Sequence, residues 1–410
     1  MHAPGSNESA AVRRRVAAWV LYDFANSTYS AVIAAVVFPV FYTTVVVGNE
    51  GGLGDLWWGR AISLSMLLVA VSSPFMGGIA DISERRKAFL AVYTFVAVVC
   101  VALFASLDRG MIVYGFILIV IANTCVEGGM VFYNSYLPVI VGRQDIGKTS
   151  ARGYAAGYLG SILSLILALY LIRSDMIRMV WIEVSLLFGL FSIPIFLFMP
   201  RDGRREGFGR AAMLGLRQSV RTLRFLMTTR ETVFFLLAYF FYTDGVNTII
   251  VFTSVFAAST LQFSTDEIIL LFLVVQFSAL VGSFLISLPI VRLGPLRIVK
   301  ASLIVWMSAT VLTFYVQTKI QFLGIALIAG LVLGTIQASS RALFAYFIPR
   351  EREAEFFGVY STVGKTSSVM GPLMFGFLSE YFKSQRPAVL SVMILFVLGY
   401  VCISQLRNKY

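Results

Sequence analysis

The sequence is poor in the side chains that most soluble chemistry relies on. Its one histidine, His2, lies in the N-terminal tail, so the body of the chain has no imidazole to shuttle protons or bind metal. Its three cysteines, Cys100, Cys125 and Cys402, stand far apart in apolar runs without CxxC spacing, which indicates neither a disulfide framework nor a metal site. Charge is scarce too: 13% of residues are Asp, Glu, Lys or Arg, against about 25% in ordinary soluble domains. The string GRQDIGKT at Gly142 to Thr149 matches GxxxxGKT by spacing, but it lies between two apolar spans with no strand ahead of it, and the GKTSS at Gly364 lacks the upstream glycine, so neither reads as a nucleotide loop. ATP is therefore not expected as an energy source. A membrane enzyme would need a His, Cys or carboxylate cluster at an interface, so no enzyme activity, cofactor or metal is expected.

What is abundant is apolar: 58% of the 410 residues. Apolar runs long enough to cross about 30 Å of hydrocarbon recur from end to end. They start near Val16, Trp57, Ala88, Met111, Gly153, Ile177, Glu231, Glu267, Ile298, Gln321, Phe356 and Pro387. The expected fold is an all-α integral membrane protein with twelve transmembrane helices in two pseudo-symmetric six-helix halves. Residues 1–200 would form the N-terminal half, 201–230 a basic cytoplasmic linker and 231–410 the C-terminal half. The net charge of +12 lies in short loops rather than on a stripe interleaved with aromatics, so no nucleic-acid partner is expected. With both termini cytoplasmic, that side receives 24 Lys and Arg and the other side 6, which sets the orientation. The opening MHAPGSNESAAVRRR has no signal-peptide order and reads as a cytosolic tail. A bacterial inner membrane and a monomer among membrane lipids are the expected setting.

An internal repeat marks the candidate site. YDFANST at Tyr22 to Thr28 is echoed by YTDGVNT at Tyr242 to Thr248, with Asp23 and Asn26, and Asp244 and Asn247, each three residues apart on one helix face. Charged groups in hydrocarbon are costly, so they face a bundle interior or a watery cavity and mark a pathway. Glu127 in the fourth span, with Asn123 one turn before it, is placed to carry a proton. Arg341 and Lys365 are the deepest cations of the C-terminal half. Arg341 could bind a carboxylate through two parallel bonds, and Lys365 acts as a point charge. Together these residues offer complementary ends to a zwitterion, or could pair with one another across the halves. Asp81 with Arg85, Arg86 and Lys87 forms a charge cluster at a helix junction, fit for a gating latch or for anchoring. Gly153, Gly157 and Gly160, with Gly364, Gly371 and Gly376, supply small faces for close helix approach, and Pro372 adds a kink. Glu183 has no assigned place.

Several of these segments resemble a known family. GGIADISERRK at Gly77 to Lys87 and the twelve-span plan are similar to the major facilitator superfamily. YDFANSTYS, the NSYLP closing the fourth span, QASSRALF from Gln337 and FFGVYSTVGKTSSVMGP from Phe356 resemble its vacuolar effluxer branch in fungi, linked to autophagy, and the bacterial relatives of that branch. The resemblance implies secondary active transport or facilitated efflux of a small solute, with an amino acid leading, and the carboxylates inside the spans make protons the expected coupling ion for export or exchange. The alternative is an amphiphile such as a lysophospholipid or a drug. The second copy of the loop signature, SLPIVRLGPLR from Ser287, lacks the acid that Asp81 supplies in the first, so a latch is expected in the N-terminal half alone.

Overall fold

The computed structural model describes residues 6–82, 85–141, 143–200, 213–214, 217, 220–221, 224–225, 227–285, 293–345, 347 and 353–406. These residues form helices and no strand. The helices are α1 (Ser6–Tyr29), α2 (Leu53–Ile82), α3 (Arg86–Leu103), α4 (Ile112–Ile140), α5 (Arg143–Arg173) and α6 (Ile177–Phe198). After the linker come α7 (Arg230–Ser259), α8 (Thr265–Leu285), α9 (Pro295–Tyr315), α10 (Lys319–Ala345), α11 in two pieces (Glu353–Thr366 and Met370–Phe382) and α12 (Gln385–Ser404). Ten of the described helices are long and apolar enough to cross a membrane. α1 begins ten residues before the expected span start at Val16, because the Ala- and Arg-rich tail favours helix. Beyond Tyr29 the same rod continues as a π-helix (Ser30–Val36), a helical turn over Val37–Val40 carrying Pro39, and a second π-helix (Phe41–Val47). Such wide turns inside a helix often accompany functional sites.

The chain packs as two compact units, and their boundary is not the linker. One comprises Met1–Ala34, Leu68–Leu107 and Ile117–Val220; the other comprises Ala35–Leu67, Asp108–Phe116 and Arg221–Tyr410. The first helical rod passes from one unit to the other within its first π-helix.

In the first unit α1 lies against α5 and α6. The approach is set by the glycines at spacings of four and three. A Cβ on Gly153 would stand 2.6 Å from Asp23 Oδ2, one on Gly157 2.6 Å from Ser27 Oγ, and one on Gly160 2.3 Å from the Phe24 carbonyl oxygen. Tyr133 of α4 stacks on Trp19 at 4.6 Å and on Tyr22 at 5.1 Å, and its carbonyl accepts the Trp19 Nε1 hydrogen at 3.2 Å. Gly160→Ala is expected to push the α1 backbone away and destabilise the protein by about 1–3 kcal/mol. Gly189→Ala, whose Cβ would meet Val98 only at 3.7 Å, is the matched control and should be near neutral in the same thermal melt.

In the second unit α7 packs on α12, α8 on α10, and α9 on both α10 and α12. The rod segment Ala35–Val47 joins this core through Phe38, Tyr42 and Trp58, whose rings lie 6.0 to 6.3 Å apart.

Candidate functional site

The α11 span, expected from Phe356 with a kink at Pro372, is interrupted at Ser367–Val369. The cause is local. Pro372 has no N–H to return to Ser368, its ring would crowd that carbonyl, and it disfavours helical geometry at Gly371. Two backbone groups and one hydroxyl at the break find partners on neighbouring helices. Gly371 N–H donates to both oxygens of Asp244 on α7, at 3.1 and 2.9 Å. Val369 C=O accepts from Ser63 Oγ on α2 at 2.8 Å. Ser368 Oγ accepts from Asn247 Nδ2 at 2.5 Å. Gly371 has to be glycine, since a Cβ there would fall within 1.9 Å of Thr248 Oγ1.

The charges at the break match its dipoles. Asp244, 0% exposed, sits at the positive N-terminal end of the second α11 piece, and Lys365 lies in the last turn of the first piece, at its negative end. Asp244 and Asn247 thus keep the shared face read from their spacing, and both face the break. Lys365 is half-buried one residue short of it. Arg341, exposed on α10, is close enough to Tyr360 to act on it electrostatically, and Tyr360 stacks on Tyr239 of α7 at 4.2 Å.

The other candidates belong to the first unit. Asp23 is half-buried against Gly153. Asn26 is buried, and its Oδ1 has no hydrogen-bond partner among the described residues. Asn123, also buried, accepts from Tyr29 Oη at 3.5 Å, and half-buried Glu127 is within electrostatic reach of the same tyrosine. α4 thereby meets α1 through Tyr29, one turn past Asn26. Glu183 of α6 accepts from Ser164 Oγ on α5 at 3.0 Å, while its Oε2 is buried without a described partner.

At the junction of α2 and α3, Arg85 and Arg86 are half-buried, and Lys87 Nζ donates to the Met199 carbonyl that ends α6, at 2.8 Å. The side chain of Asp81 lies outside the described residues, as does most of the 201–230 linker and the SLPIVR segment.

Two features escaped the sequence reading. Ser63, Ser367 and Ser368 took no part in it, although two adjacent serines ahead of Met-Gly-Pro are a legible break signal. Asp55 also went unread, in GGLGDLWWG at the start of α2, and the structure buries it completely.

Comparison with known proteins bears on this arrangement. A family model described as vacuole effluxer Atg22 like matches residues 60–409. An uncharacterized MFS-type transporter of Bacillus subtilis, YxiO, is 28% identical over 94% of this chain and 93% of its own length. Autophagy-related protein 22 of Vanderwaltozyma polyspora is 23% identical, covering 88% of this chain and 74% of its own. The crystal structure of a mutant of the nucleoside transporter NupG superposes with a TM-score of 0.75 over 96% of this chain and all of that one, at 12% identity, a likeness of fold alone.

Proposed function

Because the chain belongs to the vacuole effluxer Atg22-like family and is a membrane transporter of the major facilitator type, we propose that it exports or exchanges a small zwitterion, an amino acid foremost, by proton-coupled alternating access. The observation that carries the solute class is how charge is distributed inside the spans. In the first unit the candidate groups are acidic or accepting: Asp23, Glu127 and the unpartnered Asn26 Oδ1. In the second unit Asp244 accepts from the Gly371 N–H, and the cations Lys365 and Arg341 are the candidate solute-facing charges. Acceptors suit an ammonium group and cations suit a carboxylate.

The roles follow from these placements. Lys365 holds the solute carboxylate beside the α11 break, with Arg341 as a second donor. Asp23 and Asn26 are the first unit's candidates for an ammonium group. Glu127, half-buried beside Tyr29, is the proposed proton carrier. Asp244 is a positioning residue that fixes the break and so the place of Lys365. Both termini are cytoplasmic, which makes the end carrying Asn49 and Asp55 the outer one, and the setting is a bacterial inner membrane.

A ligand that binds only the folded state raises its apparent stability, so a thermal-shift screen of the purified protein tests the solute class. Amino acids should raise the midpoint in a pH-dependent way, and Lys365→Ala should remove the shift. Stabilisation by lysophospholipids alone would overturn the zwitterion reading.

One observation favours that second reading. The second unit holds an apolar cavity of about 90 Å³, lined by Phe256, Trp306, Phe322 and Phe375 among others. Trp306 Nε1 is buried without a described partner, in a wall whose three threonines, Thr253, Thr310 and Thr313, donate to carbonyls of their own helices. An amphiphile carrier would use such a pocket.

A further inference from the structure

Asp55 stands in the first turn of α2 and is 0% exposed. Its Oδ1 accepts from Asn49 Nδ2 at 2.8 Å, and its own N–H donates to Asn49 Oδ1 at 3.0 Å. Its Oδ2 accepts from two further donors: Ser379 Oγ near the end of α11, and Gln385 Nε2 at the start of α12, 2.8 Å away. The network extends to the end of α7, where Asn49 Nδ2 reaches Ser259 Oγ at 3.2 Å and Gln385 Oε1 accepts from Thr260 Oγ1 at 2.6 Å. Five chain segments therefore meet in one network around this carboxylate.

The backbones around it are closed just as tightly. Gly52, at φ +82°, would place a Cβ 2.7 Å from the Ser379 carbonyl, and a Cβ on Gly376 would stand 2.7 Å from the Asp55 carbonyl oxygen. Every donor to Asp55 is neutral. The charged side chains nearby are Glu50 and Lys383, both exposed, and Glu380, half-buried. With its acceptors filled and no open space beside it, Asp55 is poorly suited to bind a solute. It is well suited to hold α2 against α11 and α12.

We propose that Asp55 is the latch of the outer gate, whose bonds to Asn49, Ser379 and Gln385 hold that end closed and break together each time the end opens. This rests on the transporter reading and on the orientation given above. The latch is reversible because opening exchanges three protein donors for water, a near-balanced trade.

Asp55→Asn tests it with almost no change of shape. Donors face both carboxylate oxygens, so the amide must set its NH₂ against either Asn49 or Gln385. The reporter is Ser63→Cys, buried against α11 in the closed form, in a background with Cys100, Cys125 and Cys402 replaced. A membrane-impermeant maleimide added from outside should label the reporter at least tenfold faster in Asp55→Asn. Adding Gln385→Glu, which returns an acceptor to the amide, should bring the rate back towards the parent. A cysteine at Asn134, exposed in the last turns of α4, should at the same time label more slowly from inside. General loosening of the fold would instead speed both sites. Should Asp55→Asn fail to fold, Ser379→Ala removes one donor and decides the matter by the same readout. Unchanged Ser63→Cys labelling in the folded variants, or no rescue by Gln385→Glu, overturns the latch. Labelling needs no solute, so a chain that labels as described yet moves no amino acid keeps the gate and loses only the solute.

Discussion

Lys365→Ala is expected to lower amino-acid exchange in proteoliposomes by a factor of about 100 or more while leaving the protein folded. Truncating one partner of a buried, hydrogen-bonded charge pair costs about 2–5 kcal/mol, and a hundredfold corresponds to about 2.7 kcal/mol, in the lower part of that range. The solute carboxylate is the partner lost in this case. Lys365 is only half-buried, at the C-terminal end of the first α11 piece, so its removal forfeits a modest helix-dipole interaction of about 0.3–1 kcal/mol in the fold itself. The thermal midpoint should therefore shift little. Lys365→Arg keeps the charge with a different fork geometry and should retain part of the exchange. Substrate-free melts together with initial exchange rates for the three proteins check this. A large loss of midpoint in Lys365→Ala would assign the residue to the fold rather than to the solute.

Asp244→Ala should show the opposite signature, a loss of stability before a loss of binding. The substitution leaves the Gly371 N–H buried without an acceptor and removes the carboxylate from a helix N-terminus. An orphaned buried donor costs about 1–3 kcal/mol, and the lost charge adds up to about 2 kcal/mol in a buried setting. A drop of several degrees in the thermal midpoint is the expected result. Asp244→Asn keeps an oxygen that can accept the same hydrogen, so it should recover most of the midpoint and a measurable rate of exchange. If Asp244→Asn were fully stable and yet wholly inactive, the negative charge itself would belong to the transport cycle, and the positioning role would fall.

These two variants show where sequence reasoning reached and where it stopped. Hydropathy placed the spans because an apolar run long enough to cross a bilayer is a local property of the chain. The Asp-Asn repeat and the Gly-Pro of α11 were legible for the same reason, since spacing and proline chemistry act within a few residues. The pairing of Asp244 with Gly371 was not legible. Sequence showed a carboxylate at one place and a helix breaker at another, 127 residues apart, and nothing local links an acceptor to the amide it satisfies. Asp55 is the sharper case. A carboxylate at the start of a span ordinarily rests in interfacial water, and only donors 324 and 330 residues further along the chain make it a buried hub. The division of the packing also follows tertiary contact rather than chain order. The rod segment Ala35–Val47 and the first turns of α2 join the C-terminal core through Phe38, Tyr42, Trp58 and the Asp55 network, which six-plus-six counting could not anticipate.

The central claim is that this chain carries a small zwitterion by means of Lys365. Counterflow in proteoliposomes tests it most directly: vesicles preloaded with an unlabelled amino-acid mixture are placed in a trace of labelled amino acid, for the parent and for Lys365→Ala. Transient accumulation of label in the parent, absent from Lys365→Ala and from empty vesicles, is the predicted result. Equal accumulation in parent and variant, or none in the parent under conditions where preloaded lysophospholipid exchanges, would contradict it.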